Sequence, residues 1–271
     1  MTPLWLLILV PVWLGLAGLA RVAMAGPRRD PYDILDGLIM GFLAVYLRLV
    51  HRVKHEHTEH VRAAEAALAE GRPVIVIANH TAGIDPLLVQ LATWQFEIRW
   101  MMAADMRIEP LEPLWQWSRI IDVERYSGDA TSARAALRHL STGPTHDRVL
   151  GIFPEGGIER PAEQLLPFLP GVGLLIKRSK ALVLPALIDG TPRVDPAFAS
   201  LWHTSNSRVR FGEPIDYAAT DLKPAEIVAD LQQRYLDWSR WPLNEHRTDG
   251  VGSTTGGAST PTVSEPLTVP A

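Results

Sequence analysis

Short runs of apolar, β-branched residues recur through the middle of the chain, and segments with helical periodicity separate them. The runs are residues 74–78, 120–123, 149–153 and 181–188. The helical patterns between them cover roughly residues 86–95, 129–142 and 171–180. Continuous apolar runs of this length are typical of strands buried on both faces of a sheet. Strands that alternate with helices predict an α/β fold, in which helices flank a mostly parallel mixed sheet.

Further elements are predicted on either side of this region. Residues 58–70 have the pattern of an amphipathic helix that ends at Gly71. Residues 208–216 resemble a late strand, and residues 224–238 a closing helix with proline near its start.

The composition excludes several classes of protein. Of the 271 residues, 47% are hydrophobic and 21% are charged, and the formal net charge is −4. These values do not fit a disordered, collagen-like or strongly basic chain, so nucleic acid is not an expected partner. The chain has no cysteine, which excludes disulfides, thiolate metal sites and a cysteine nucleophile.

The N-terminal segment predicts a membrane anchor. Residues 2–20 carry no charge, and as a helix they would extend about 28 Å, close to the thickness of a hydrocarbon core. Arg21, Arg28 and Arg29 follow without an acidic residue among them, which predicts that the rest of the chain faces the cytoplasm. The alternative is a secretory signal cleaved before Gly26, but its apolar run would be unusually long and would lack a basic start.

A second apolar stretch, residues 34–50, contains an uncharged run too short to cross a bilayer unaided, which favours a helix lying in the membrane interface. Residues 247–271 are rich in Gly, Ser, Thr and Pro and predict a disordered tail. The expected organisation is a membrane anchor with an interfacial helix at residues 1–57, a folded domain large enough for an enzyme at residues 58–246, and the tail.

Residues 51–60 hold four of the nine histidines. On one helix, His51 and His55 would have the spacing of metal ligands. Because no third ligand is evident, a solvated histidine-rich segment is the favoured interpretation, and neither a metal nor a prosthetic cofactor is expected.

The segment NHTAGID, residues 79–85, follows the first buried strand. At the carboxyl end of such a strand, where ligands bind in open α/β sheets, His80 could take a proton from an alcohol. Asp85, across a tight turn, could orient the imidazole. The alternative is that Asp85 only caps the next helix, with Pro86 as its first residue. Ala82 and Gly83 are small enough to leave room for a substrate.

Three further motifs follow buried or predicted strands. In FPEGG, Glu155 could accept hydrogen bonds from hydroxyl groups, and Gly156 lets the backbone approach a ligand, although the composition also suits a plain turn. In IDVER, Arg125 could hold a phosphate, or be an ordinary surface charge. In LVLPAL, Pro185 predicts a kink or strand end beside an apolar channel, or an edge strand.

In this order, NHTAGID, IDVER, FPEGG and LVLPAL resemble the four sequence blocks of the glycerolipid acyltransferase family, which includes lysophosphatidate and glycerol-3-phosphate acyltransferases. The resemblance spans residues 79–186 and implies acyl transfer from a coenzyme A or acyl-carrier-protein thioester to a glycerolipid hydroxyl at a membrane. It implies that His80 is the general base and that Asp85 orients it.

The resemblance further assigns residues to the acceptor site. These are Arg125, Glu155 and Gly156, with Pro185 in the fourth block; Phe168 and Gly171 also fit the family's pattern. Members that act on phosphate-bearing acceptors often continue the third block with Thr or Ser and then Arg or Ser, whereas this chain has Gly157 and Ile158. Arg160, together with Arg125, could still bind a phosphate.

Two rival functions are a lipid hydrolase and a membrane-tethered lipid-binding protein without turnover. The chain contains neither a G-x-S-x-G nor an HExxH motif, so the local geometry of serine hydrolases and zincins is missing. A non-catalytic relative would have no chemical need for His80 together with Asp85.

Overall fold

The computed structural model describes residues 34–107, 109, 112–124, 130–143, 147–158 and 162–245, and three helical pairs at 11–12, 15–16 and 18–19. Among these residues, seven strands form one mixed sheet. They are β1 (Lys54–Glu56), β2 (Val74–Ala78), β3 (Arg99–Ala103), β4 (Ile121–Val123), β5 (Val149–Ile152), β6 (Leu182–Asp189) and β7 (Arg208–Phe211).

The strand order is β1-β7-β6-β2-β5-β3-β4. All neighbouring pairs from β6 to β4 are parallel, and β7 is antiparallel to β6 and parallel to β1. The prediction of a mostly parallel mixed sheet is confirmed. β1 and β3 were not predicted, because KHE is short and polar and RWMMA contains no β-branched residue.

Within the part of the chain that the structure describes, seven α-helices lie from residue 34 onward and flank the sheet. They are α1 (Ile34–Val50), α2 (Glu59–Ala69), α3 (Asp85–Ala92), α4 (Glu112–Trp117), α5 (Thr131–Thr142), α6 (Pro170–Ser179) and α7 (Pro224–Ser239). The apolar core lies in two layers, one on each face of the sheet. In β2, Val74, Val76 and Ala78 pack into the layer that contains α1, α2 and α3, and Ile75 and Ile77 pack against α5, α6 and α7. This double burial explains the unbroken apolar sequence of β2.

The sheet begins before the boundary predicted between residues 57 and 58. β1 pairs with β7, and α1 contributes Ala44 and Leu47 to the core. The folded unit therefore includes α1 and β1. The sequence did not indicate β1, because a three-residue polar strand can be recognised only by its pairing with β7.

The opposite face of α1 is apolar and exposed. Phe42, Val45 and Leu49 are exposed by 70%, 56% and 72%, at a spacing that places them on one side of the helix. None of the described helices combines the length and apolar character that a bilayer crossing requires. The anchor predicted at residues 2–20 falls mostly outside the described residues, and the tail at 247–271 falls wholly outside them.

β6 continues through Pro185 and lies between β7 and β2, so the predicted strand end and the alternative of an edge strand are wrong, while the kink stays a prediction. Pro185 lies buried within the strand and pairs in register with Ile77 of β2. On the β7 side, the ladder passes from the Gly212 N–H···O=C Pro185 bond to the Val183–Ile215 bridge. Residues 213 and 214 lie between these two contacts. β6 therefore needs no N–H donor at position 185 on this side.

Candidate active site

His80 lies two residues beyond the end of β2, and a buried asparagine fixes the backbone before it. The Asn79 side chain donates to the carbonyl oxygen of Ile188 at 3.0 Å and accepts from the N–H of Ile188 at 2.7 Å. These bonds connect the end of β2 to β6. The position of His80 is therefore set by the sheet itself rather than by a free loop.

The Asp85 carboxylate is fully buried and accepts four hydrogen bonds. Its Oδ2 atom lies 3.0 Å from His80 Nδ1 and accepts the backbone N–H groups of Thr81 and Ala82 at 2.6 and 2.9 Å. Its Oδ1 atom accepts the Thr81 hydroxyl at 3.0 Å. The N-cap of α3 is Ile84, and Asp85 is the first helical residue. The carboxylate thus closes the preceding turn, and the alternative that it only caps the helix is wrong.

This contact defines which nitrogen of His80 is available for chemistry. When Nδ1 donates to a carboxylate, Nε2 carries the lone pair. Within the described part of the chain, no hydrogen bond involves Nε2, and the His80 side chain is 19% exposed while that of Asp85 is 0% exposed. The arrangement can therefore accept a proton at Nε2 and stabilise the resulting imidazolium through Asp85.

Ala82 and Gly83 pack against protein rather than leave room for a substrate. Ala82 is buried, and a Cβ atom on Gly83 would lie 2.6 Å from the carbonyl oxygen of Ala197. The segment 197–201 therefore approaches the turn closely. The expectation that these small residues open space for a ligand is wrong, because the tertiary structure fills it with backbone.

Glu155 is also fully buried, and both of its carboxylate oxygens accept backbone N–H groups. Oε1 accepts from His80 at 2.9 Å, and Oε2 accepts from Leu166 at 2.8 Å. Glu155 therefore connects the turn after β5 to the residue that bears the imidazole. Direct contact with acceptor hydroxyls, as the sequence suggested, stays a prediction.

Gly156 takes part in the turn after β5. Its φ angle is +65°, in the region that favours glycine. Its N–H donates to the carbonyl oxygen of Phe153 at 3.0 Å, so this group is already used within the turn. The turn interpretation of FPEGG describes Gly156 well, and its predicted contact with the acceptor stays a prediction.

The other predicted residues divide into two sets. Arg125 and Arg160 lie outside the described residues. Pro185 is enclosed in the sheet, which places it among the supporting residues rather than at a surface. Phe168 is buried against the Tyr235 ring, and Gly171 is the second residue of α6.

A row of three aromatic rings reaches the site and was not predicted. The His80 and Phe153 rings are stacked with centroids 4.0 Å apart, and Phe153 is stacked on Trp100 at 4.7 Å. Trp100 comes from β3, whose sequence carries no motif. The phenylalanine of FPEGG was visible as a signal, but its role depends on the pairing of strands.

The two histidines considered as metal ligands have other roles. His51 is buried with Nδ1 2.9 Å from Ser205 Oγ, and His55 Nε2 lies 2.9 Å from the Leu88 carbonyl oxygen. Burial lowers the pKa of both imidazoles. In the described part of the chain, one group of side chains could hold a metal ion. Its donor atoms lie within 4.8 Å of one another and belong to His57, just before α2, and to Glu59 and His60 at the start of α2. It is largely solvent-exposed and separate in the chain from His80.

A model of the Acyltransferase family matches residues 52–189, just over half of the chain, and includes all four motifs. The chain belongs to the Acyltransferase family. The resemblance drawn from the motifs is thereby confirmed. The matched region of this acyltransferase begins between α1 and β1 and ends with β6, and it contains His80, Asp85 and Glu155.

Among solved structures, this acyltransferase is similar to the 1-acyl-sn-glycerophosphate (LPA) acyltransferase PlsC from Thermotoga maritima. The TM-score is 0.58 at 16% sequence identity, and the alignment covers 79% of this chain and 83% of that one. The two proteins share a fold. No curated protein was found to match the sequence.

Proposed function

We propose that this acyltransferase moves a fatty acyl group from a coenzyme A or acyl-carrier-protein thioester to a hydroxyl of a lysophospholipid or related glycerolipid. The observation that carries the proposal is the His80–Asp85 pair, 3.0 Å apart, with a buried carboxylate and a partly exposed imidazole. The family match and the shared fold with a lysophosphatidate acyltransferase support this substrate class.

The proposed reaction is direct. Nε2 of His80 takes the proton of the acceptor hydroxyl while the oxygen attacks the thioester carbonyl carbon. The C–S bond then breaks, and the imidazolium gives its proton to the leaving sulfur, so the products are the ester and the free thiol and His80 is neutral again. General-base assistance commonly contributes about 10²–10⁴-fold to such a rate, and alignment of two bound substrates contributes further. No metal ion or prosthetic group takes part in this scheme.

The acceptor is expected to be presented at a membrane surface. The exposed side of α1, formed by Phe42, Val45 and Leu49, is suited to lie among acyl chains while its other side stays in the core. The anchor predicted at residues 2–20 would hold the enzyme there, with the domain on the cytoplasmic side. Protease treatment of spheroplasts and of inverted vesicles tests the orientation: the domain should be digested only in inverted vesicles.

The residues that follow the FPEG motif bear on the choice of acceptor. Gly157 and Ile158 stand where family members acting on phosphate-bearing acceptors often have hydroxyl and basic residues. The test is to supply labelled acyl thioester with a panel of lysolipids, with and without a phosphate group, and to identify the product by mass.

The decisive comparison is wild type against His80→Ala in that assay. We expect the substitution to remove nearly all labelled lipid product while the thermal unfolding curve stays that of a folded protein. Full activity of the variant would refute the mechanism. Label that remains in thioester or free acid with every acceptor would favour the lipid-binding or hydrolase alternatives.

A further inference from the structure

Three aromatic rings from neighbouring parts of the sheet form a continuous stack that ends on His80. The His80 and Phe153 ring planes are within 13° of parallel, and those of Phe153 and Trp100 within 14°. His80 follows β2, Phe153 follows β5, and Trp100 lies in β3; β5 pairs with both other strands. The stack therefore crosses the sheet at the end where the candidate base is held.

Gly151, inside β5, lies next to the Trp100 end of the stack. A Cβ atom on Gly151 would lie 2.5 Å from two carbon atoms of the Trp100 indole. Glycine weakens the interior of a strand, and it is expected there where another group must approach the backbone closely. Gly151 thus provides the space for the buried Trp100 ring that supports Phe153.

Asp85 alone does not determine the orientation of the imidazole. A single contact at Nδ1 leaves the ring able to swing about that contact, and the swing would move Nε2. Phe153 lies against one face of the imidazole and fixes its plane, while Trp100 supports the other face of Phe153. A charged imidazolium is also attracted to the face of an aromatic ring, which favours the state formed when the base takes a proton.

We propose that Phe153 and Trp100 are positioning residues for His80, which hold its ring plane so that Nε2 faces the acceptor hydroxyl. This inference rests on the proposed role of His80 as general base. It assigns to Trp100, a residue outside the four motifs, a function in acyl transfer. It also explains why β5 has a glycine at position 151.

The kinetic test compares Phe153→Leu with Phe153→Tyr. The leucine removes the ring but keeps a bulky apolar side chain, and the tyrosine restores the ring. We expect Phe153→Leu to lower kcat by roughly 10–100-fold, because misplacement of a catalytic group by about 1 Å has effects of this size. The KM values should change little, and Phe153→Tyr should recover most of the rate. Phe96→Leu, at another buried phenylalanine in the core, is the matched control.

A second measurement reports on the stack without any substrate. In protein labelled with ¹³C-histidine, the ring current of Phe153 should shift the His80 ring protons upfield, and Phe153→Leu should abolish that shift. The His80 signal is assigned by its loss in His80→Gln. Trp100→Leu and Trp100→Phe provide a second leucine–aromatic pair in case Phe153→Leu does not fold.

The outcomes separate this inference from the proposed function. Full activity of His80→Ala would refute the function and, with it, the positioning role. If His80→Ala is inactive but both leucine variants match Phe96→Leu in kcat, only the positioning role is refuted. An unchanged His80 signal in Phe153→Leu would likewise overturn the stack. Loss of kcat with recovery by the aromatic replacements would establish it.

Discussion

The Oδ2 atom of Asp85 accepts the N–H groups of Thr81 and Ala82 and lies 3.0 Å from Nδ1 of His80. The turn that carries the histidine is therefore closed by the same carboxylate that orients its ring. Formation of the turn and placement of the carboxylate beside Nδ1 of His80 are therefore one structural event. Substitution at Asp85 will consequently affect both.

Asp85→Asn is expected to lower kcat by roughly 10²–10⁴-fold, because an amide neither holds Nδ1–H as well nor stabilises the imidazolium. Some loss of stability should accompany it, since the backbone N–H groups lose a charged acceptor. The measurements are steady-state acyl transfer and thermal unfolding. Asp237→Asn, at an exposed aspartate on α7, is the control. Equal kcat values for the two variants would contradict the role of Asp85.

Glu155→Gln tests whether this residue supports the site or binds the acceptor. Both oxygens accept backbone N–H groups, so an amide NH₂ would face a donor, at a cost of about 1–3 kcal/mol of folding free energy. We expect a lower melting temperature and a lower kcat, with the acceptor KM little changed. Glu213→Gln on the surface is the control. A raised acceptor KM at unchanged stability would instead favour direct acceptor binding.

Gly151→Ala should destabilise the protein by roughly 1–3 kcal/mol, as overpacking of a core does, because its Cβ atom would meet the Trp100 ring. Gly171→Ala is the matched control, since no heavy atom lies within 4 Å of its Cβ position. Chemical denaturation measures both. Equal unfolding free energies would show that β5 can shift without cost.

His139→Gln should weaken the acid sensitivity of folding. Burial lowers the pKa of the His139 imidazole below 6.5, while its ring contacts the Val149 carbonyl oxygen. As pH falls through about 6.5, the unfolded chain therefore binds a proton before the folded one, and stability is lost at up to about 1.4 kcal/mol per pH unit.

Unfolding free energies measured from pH 8 to pH 5 should fall less steeply for His139→Gln than for wild type. A buried glutamine can still donate to the carbonyl without titrating. His203→Gln, at an exposed histidine, is the control for the substitution itself. Parallel pH dependences for wild type and His139→Gln would contradict the prediction.

The absence of cysteine makes the membrane proposal directly measurable. A spin label on V45C, on the exposed side of α1, should sit about 5–10 Å below the headgroup boundary in lipid vesicles. A label on E70C, at the exposed end of α2, should remain in water. Accessibility to oxygen and to a water-soluble relaxation agent separates these environments. Equal accessibility at both positions would refute contact between α1 and lipid.

Much of the fold could be read from local patterns. β2, β5 and β6 are buried on both faces, so their burial is written into continuous apolar runs. The His80–Asp85 contact was also predictable, because five residues across a tight turn leave few ways for the two side chains to lie. The edge strand β1 could not be predicted, since its stability comes from pairing with β7, distant in sequence.

Local sequence therefore determined that β2, β5 and β6 are buried strands and that His80 and Asp85 lie next to each other, because both depend on short-range geometry and burial. Tertiary structure alone decided that Glu155 faces the backbone of His80, that Pro185 stays within the sheet, and that Trp100 supports Phe153. The Glu155–His80 contact joins residues 75 positions apart, Pro185 pairs with Ile77 from still further along the chain, and only the order of strands in the sheet brings such residues together.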